Sequence, residues 1–106
     1  MTVGVARITL FIPESHSLKE KRMVLRRIKD RVRTKFNAAI AEVEDHDLWQ
    51  RGTLGLAVVG GDRRFVESAL DEVVRFVSSL VETTNIEREL TTYSQPLAHN
   101  DLGWQP

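Results

Sequence analysis

Apolar and polar residues alternate from Val3 to Ile12, with Ala6, Ile8, Leu10 and Ile12 on one face and Val3, Val5, Arg7, Thr9 and Phe11 on the other. A period of two over that length predicts a strand. From Ser15 to Asn37 the period lengthens. On a helical wheel Leu18, Val24, Leu25, Ile28, Val32 and Phe36 gather into one stripe, as the core-facing side of a helix of about five turns would. Its start is marked by Ser17-Leu18-Lys19-Glu20, a capping box. In that arrangement the Ser17 hydroxyl accepts from the Glu20 N–H, and the Glu20 carboxylate reaches back to the Ser17 N–H. Pro13 fixes the turn ahead, and Asn37 suits the left-handed backbone that closes many helices.

Ala38 to Glu44 alternates again and predicts a second strand, with Ala39, Ala41 and Val43 opposite Ala38, Ile40, Glu42 and Glu44. A polar loop or ragged hairpin spans Asp45 to Gly52. Thr53 to Val59 is a near-continuous apolar run suited to a central strand, and Gly60-Gly61 stops it. Asp62 then caps a second helix reaching about Thr83, with Val66, Ala69, Leu70, Val73, Val77 and Leu80 as its core stripe. A fourth strand follows from Asn85 to Tyr93. The order is β-α-β-β-α-β, so the expected fold is α+β and ferredoxin-like. It is a two-layer sandwich in which both helices cover one face of a four-stranded antiparallel sheet. Residues 1–95 form this single domain, and 96–106 are expected to be a loose tail pinned by Trp104. Val3, Val5, Phe11 and Ile40 are expected on the open sheet face, which is apolar enough to imply a homodimer or a cover by the tail.

Composition changes this picture only through charge. An apolar content of 42% is that of an ordinary globular protein, and zero cysteines exclude disulfides, zinc–thiolate sites and thiol catalysis. The short apolar run at the N-terminus contains Arg7 and precedes Pro13, so neither a signal peptide nor a membrane span is expected, and a cytoplasmic location follows. The formal net charge is zero, yet residues 1–35 carry +7 and residues 36–106 carry −7. Such a dipole orients encounters with a polyanion, or drives plus-to-minus self-association.

The positive half is concentrated on the first helix, where nine of the fifteen Lys and Arg residues lie between Ser15 and Asn37. Lys19, Arg22, Arg26, Lys29 and Arg33 recur at i, i+3, i+4 along one flank of the apolar stripe. Arg27, Arg31 and Lys35 form a second row on the other flank. Lys19, Lys21 and Arg22 oppose the helix dipole, and each is expected to cost ~0.3–1 kcal/mol at low salt. Folding does not require that arrangement, so the ridge is a candidate contact for phosphates.

Other candidate chemistry is sparse. Ser15, His16 and Ser17 place two hydroxyls beside an imidazole, but neighbours on a turn do not aim at one another as a nucleophile and its base do. Backbone amides there, with Lys19, Lys21 and Arg22, would instead hold a phosphate. The acids Glu42, Glu44, Asp45 and Asp47 lack the spacing and the glycine of a calcium loop, so no metal and no cofactor are expected. Leu48 and Trp49 are apolar in a polar loop and are candidate interface residues. The third strand, T-L-G-L-A-V-V, has no aromatic with which to stack bases as an RRM sheet does.

The segments V-G-V-A-R-I-T-L-F-I-P, S-H-S-L-K-E-K-R, A-E-V-E-D-H-D-L-W-Q-R-G-T-L-G and V-V-x-x-D-R-R are similar to the YlxP-like family of small bacterial proteins, a domain-of-unknown-function family. The resemblance covers about residues 3 to 95. It implies a ferredoxin-like fold and, from the family's gene neighbourhood near translation initiation factor two and ribosome-binding factor A, a role around the ribosome. The family brings no catalytic residues. Together these readings predict a non-enzymatic protein that contacts structured RNA or the ribosome through Ser15, His16, Ser17, Lys19, Lys21, Arg22, Arg26, Lys29 and Arg33. The alternative is an oligomeric or protein-interaction module whose basic helix meets an acidic surface such as Glu42, Glu44, Asp45 and Asp47.

Overall fold

A computed structural model describes residues 1–95. The elements are β1 (Thr2–Phe11), α1 (Leu18–Lys35), β2 (Ala39–Glu44), β3 (Arg51–Gly60), α2 (Arg63–Leu80) and β4 (Glu82–Thr92). All strand pairings are antiparallel, in the order β2-β3-β1-β4, and both helices lie on one face. This is the expected ferredoxin-like sandwich. The tail and Trp104 fall outside the described residues.

The period-two pattern of β1 sends Ala6, Ile8, Leu10 and Ile12 into the core, where they meet Leu54, Leu56 and Val58 of β3 and the stripes of both helices. From α1 the buried apolar residues are Leu25, Ile28 and Val32, and from α2 they are Val66, Leu70, Val73, Val74 and Val77. Burying a side chain of this size contributes ~1.5–3 kcal/mol, so this interface holds the two layers together.

Several details differ from the expectation. Ile40 is buried under the helices and is not on the open face, which β2 lines with Ala39, Ala41 and Val43. Asn37 does not close α1: the cap is Phe36 in extended backbone, and Asp45 is the only non-glycine residue with positive φ (63°) among the described residues. β4 starts at Glu82, ahead of the expected Asn85. Its apolar residues are too few for the alternation to mark where the strand begins.

Candidate nucleic-acid interface

The site is built from α1 and the two loops that approach its N-terminus. Ser17 caps the helix as the capping box predicts, accepting from the Glu20 N–H at 3.1 Å. The reciprocal bond goes elsewhere, because the Glu20 carboxylate accepts from the His16 N–H at 2.6 Å and not from Ser17. A carboxylate therefore already occupies the positive end of the helix, where the sequence suggested a phosphate. Ser15 is buried and donates its hydroxyl hydrogen to the Ser17 carbonyl. Ser15 and Ser17 serve the cap, and the amide of His16 is taken.

Lys21 departs furthest from the reading as a surface cation. It is 0% exposed. Its three ammonium hydrogens go to the backbone carbonyls of Asp45 (2.7 Å), His46 (3.2 Å) and Arg51 (3.3 Å). Glu42 Oε2 lies 3.1 Å from Nζ and balances its charge. That oxygen is buried and accepts no hydrogen bond, so its contact with Lys21 is electrostatic alone. Lys21 is thus withdrawn from the ligand-binding set: it pins the β2–β3 loop beneath α1.

The rest of that loop is tied down as well. Asp45 sends its carbonyl to Lys21 and its carboxylate to Thr53 Oγ1 (2.7 Å) and Arg51 Nε (3.2 Å), bridging the two layers at the end of the sheet. Asp tolerates the left-handed backbone this requires better than most residues. Gln50 donates to the carbonyls of Pro13 (2.8 Å) and Ser15 (3.3 Å). The segments S-H-S-L-K-E-K-R and D-L-W-Q-R are therefore halves of one structural lock. Leu48 and Trp49 are both carried outward on it, Trp49 at 55% exposure.

Three of the four acids in the run are paired within the fold, and Asp47 is exposed. The register shifts between Glu42 and Glu44, so these two acids, expected on one face, separate. Glu42 turns inward to Lys21, and Glu44 reaches Arg7 at 2.6 Å across the open face. Glu87 takes the other side of Arg7 at 3.0 Å. Hydrogen bonds to Glu87 and then Glu44 hold the Arg7 guanidinium above its ordinary pKa.

The ridge remains. Lys19, Arg22, Arg26 and Arg33 are exposed and Lys29 is half-buried. Arg33 donates to the Ile40 carbonyl at 2.9 Å, which fixes this flank as the one beside edge strand β2. Its contact with Asp30 is a loose 3.8 Å. Lys19, Arg22, Arg26 and Lys29 make no ion pair among the described residues. On the other flank, which faces α2, Lys35 sits 4.6 Å and Arg31 5.6 Å from the centre of the Phe76 ring, which packs edge-on against Phe36. Of the three acids on α2, Glu67, Asp71 and Glu72, Asp71 pairs with Arg88 of β4.

Two designed proteins share this architecture. "De novo designed protein Foldit4" superposes with a TM-score of 0.51 at 16% identity, over 87% of this chain and 97% of that one. The designed protein LFR1 1 "with ferredoxin fold" does so with a TM-score of 0.51 at 16% identity, over 92% and 91%. These likenesses concern the fold alone. In sequence, the "Uncharacterized protein YlxP" of Bacillus subtilis (strain 168) is 43% identical over 89 residues, covering 84% of this chain and 94% of that protein. The model of the family described as "Protein of unknown function (DUF503)" matches residues 3–89, and the chain belongs to that family.

Proposed function

We propose that the protein is a non-enzymatic binder of structured RNA, which it grips by the phosphates through the outer flank of α1. The observation that carries this reading is the row Lys19, Arg22, Arg26, Lys29 and Arg33, four of whose members have no carboxylate partner among the described residues. The fold pairs Arg7, Lys21, Arg51 and Arg88 with acids and sets Arg31 and Lys35 against the Phe76 ring, while Arg27, Arg63, Arg64 and Arg75 share with the row the lack of a carboxylate partner among the described residues. The row spans ~21 Å at the helical rise, enough to follow several backbone phosphates. The resemblance noted from the sequence makes ribosomal RNA the first ligand to test, with the cytoplasm as the proposed compartment. Replacing Lys19, Arg22 and Arg26 together by Glu should abolish filter-bound ribosomal RNA fragments at about 50 mM salt while the far-ultraviolet spectrum stays unchanged. Retention of wild-type affinity by the triple variant would end the proposal.

A second reading, a module that pairs with another copy of itself, is favoured by the open sheet face. A groove of about 530 Å³ there is floored by Ala39, Ala41, Gly55 and Ala57 and flanked by Val5 and Val43. A Cβ at Gly55 would lie 2.9 Å from Val43 Cγ1, so the floor is kept flat by the missing side chain. Val5→Glu should dissociate a dimer held by this face. A wild-type monomer in light scattering at high concentration removes the reading.

A further inference from the structure

The ridge on α1 leads to the end of the molecule where α1 finishes and α2 begins, and there the surface changes character. Phe65, on the first turn of α2, is 60% exposed although its neighbours in the stripe are buried. Its ring lies against Gly60, where a Cβ would come within 2.8 Å of Phe65 Cδ2. The missing side chain lets one side of the ring rest on backbone while the remainder stays in solvent. Beside the ring is a notch of about 110 Å³ that Phe36 also lines, with Val58 and Val73 buried at its base and Asn37 exposed at its rim.

Two further features converge on it. The pairing of β2 with β3 ends at Ala39 and Ala57, so the edge of β3 from residue 58 to 60 has no strand beside it on the notch side. Exposed cations stand close by in the chain: Arg63 and Arg64 immediately precede Phe65, and Lys35 immediately precedes Phe36, its Nζ 5.6 Å from that ring and 4.6 Å from the Phe76 ring. Arg63 and Arg64 have no carboxylate partner among the described residues, since the Asp62 carboxylate accepts from the Phe65 N–H. An exposed ring, an apolar notch, an amide at the rim and flanking cations form the combination that holds a single nucleotide: stacking for the base, hydrogen bonding for its edge, positive charge for its phosphates.

We infer that this notch takes one unpaired base of RNA, stacked on Phe65 with Asn37 at its edge, while the ridge holds the adjoining duplex. The inference rests on the RNA reading above and makes it more specific: the preferred ligand is a duplex with a single-stranded extension. Charge complementarity selects RNA over a basic peptide, which Arg63 and Arg64 would repel.

The test titrates the full chain with two labelled RNAs of ribosomal sequence, a blunt duplex and the same duplex carrying a short single-stranded overhang. The wild type should bind the overhang form more tightly. Phe65→Ala should remove that advantage, a loss of about 5- to 150-fold for one stacked base, and leave blunt-duplex affinity unchanged; Phe65→Tyr should retain it. Equal affinity of the wild type for both RNAs, or a Phe65→Ala loss that falls equally on both, overturns the inference while the ridge reading stands. No binding of either RNA by the wild type overturns both.

Discussion

Lys21 and Arg26 are cations on the same helix, five positions apart, and they do opposite work. Lys21 is wholly enclosed, with every hydrogen given to a carbonyl and a carboxylate 3.1 Å away. Arg26 is exposed and has no ion-pair partner among the described residues. The same contrast holds between the regions they stand in. Around the cap of α1, Ser15, Ser17 and Lys21 are committed to the protein's own backbone; along the outer flank Lys19, Arg22 and Arg26 are left to the solvent. A motif rich in charge is thus not the binding site merely because it is distinctive. The lock is the most distinctive part of the sequence, yet it is the ridge that lines up unpaired charge along one helix flank.

This contrast can be broken by stability measurements. Lys21→Met should cost the most, about 3–5 kcal/mol in urea denaturation, because it strands a buried carboxylate and three carbonyls. Arg26→Met should shift stability by less than ~0.5 kcal/mol. Comparable losses in the two variants would erase the distinction. Ser17→Ala should fall between them, at ~0.5–2 kcal/mol, through loss of the bond to the Glu20 N–H. Lys19→Glu should have a small effect of the opposite sign. An acid in the first turn suits the dipole and should stabilise by ~0.3–1 kcal/mol, while RNA affinity falls. A variant that is stabilised yet binds more weakly would sharpen the contrast, because it separates the ridge from the fold.

Much of the fold was legible because its elements carry strong periods. The apolar stripe of α1 and the alternation of β1 point to the core residues directly, and Ser17 and Asp62 mark both helix starts. What could not be read follows from short-range geometry. The register shift after Glu42 turns Glu44 away from the face Glu42 shares with Ile40 and out to Arg7, and no periodicity reports a bulge. Lys21 lies on the wheel between Leu25 and Ile28, within the apolar stripe, and that position was the signal that it would be buried. Its partners are backbone carbonyls, which no side-chain pattern reveals. The notch at Phe65 was missed because its parts, Phe36 with Asn37, Val58 and Phe65, come from three separate stretches.

The most direct test of the central claim is the salt dependence of RNA affinity. Five phosphate contacts along Lys19, Arg22, Arg26, Lys29 and Arg33 predict that log affinity falls against log salt with a slope of about −3.5 to −4.5. Arg26→Ala should make that slope shallower by roughly one, with equal effect on unrelated RNA sequences, since phosphates carry no sequence. A slope near zero, or one that Arg26→Ala leaves unchanged, would contradict the assignment of the ridge as the RNA-binding surface.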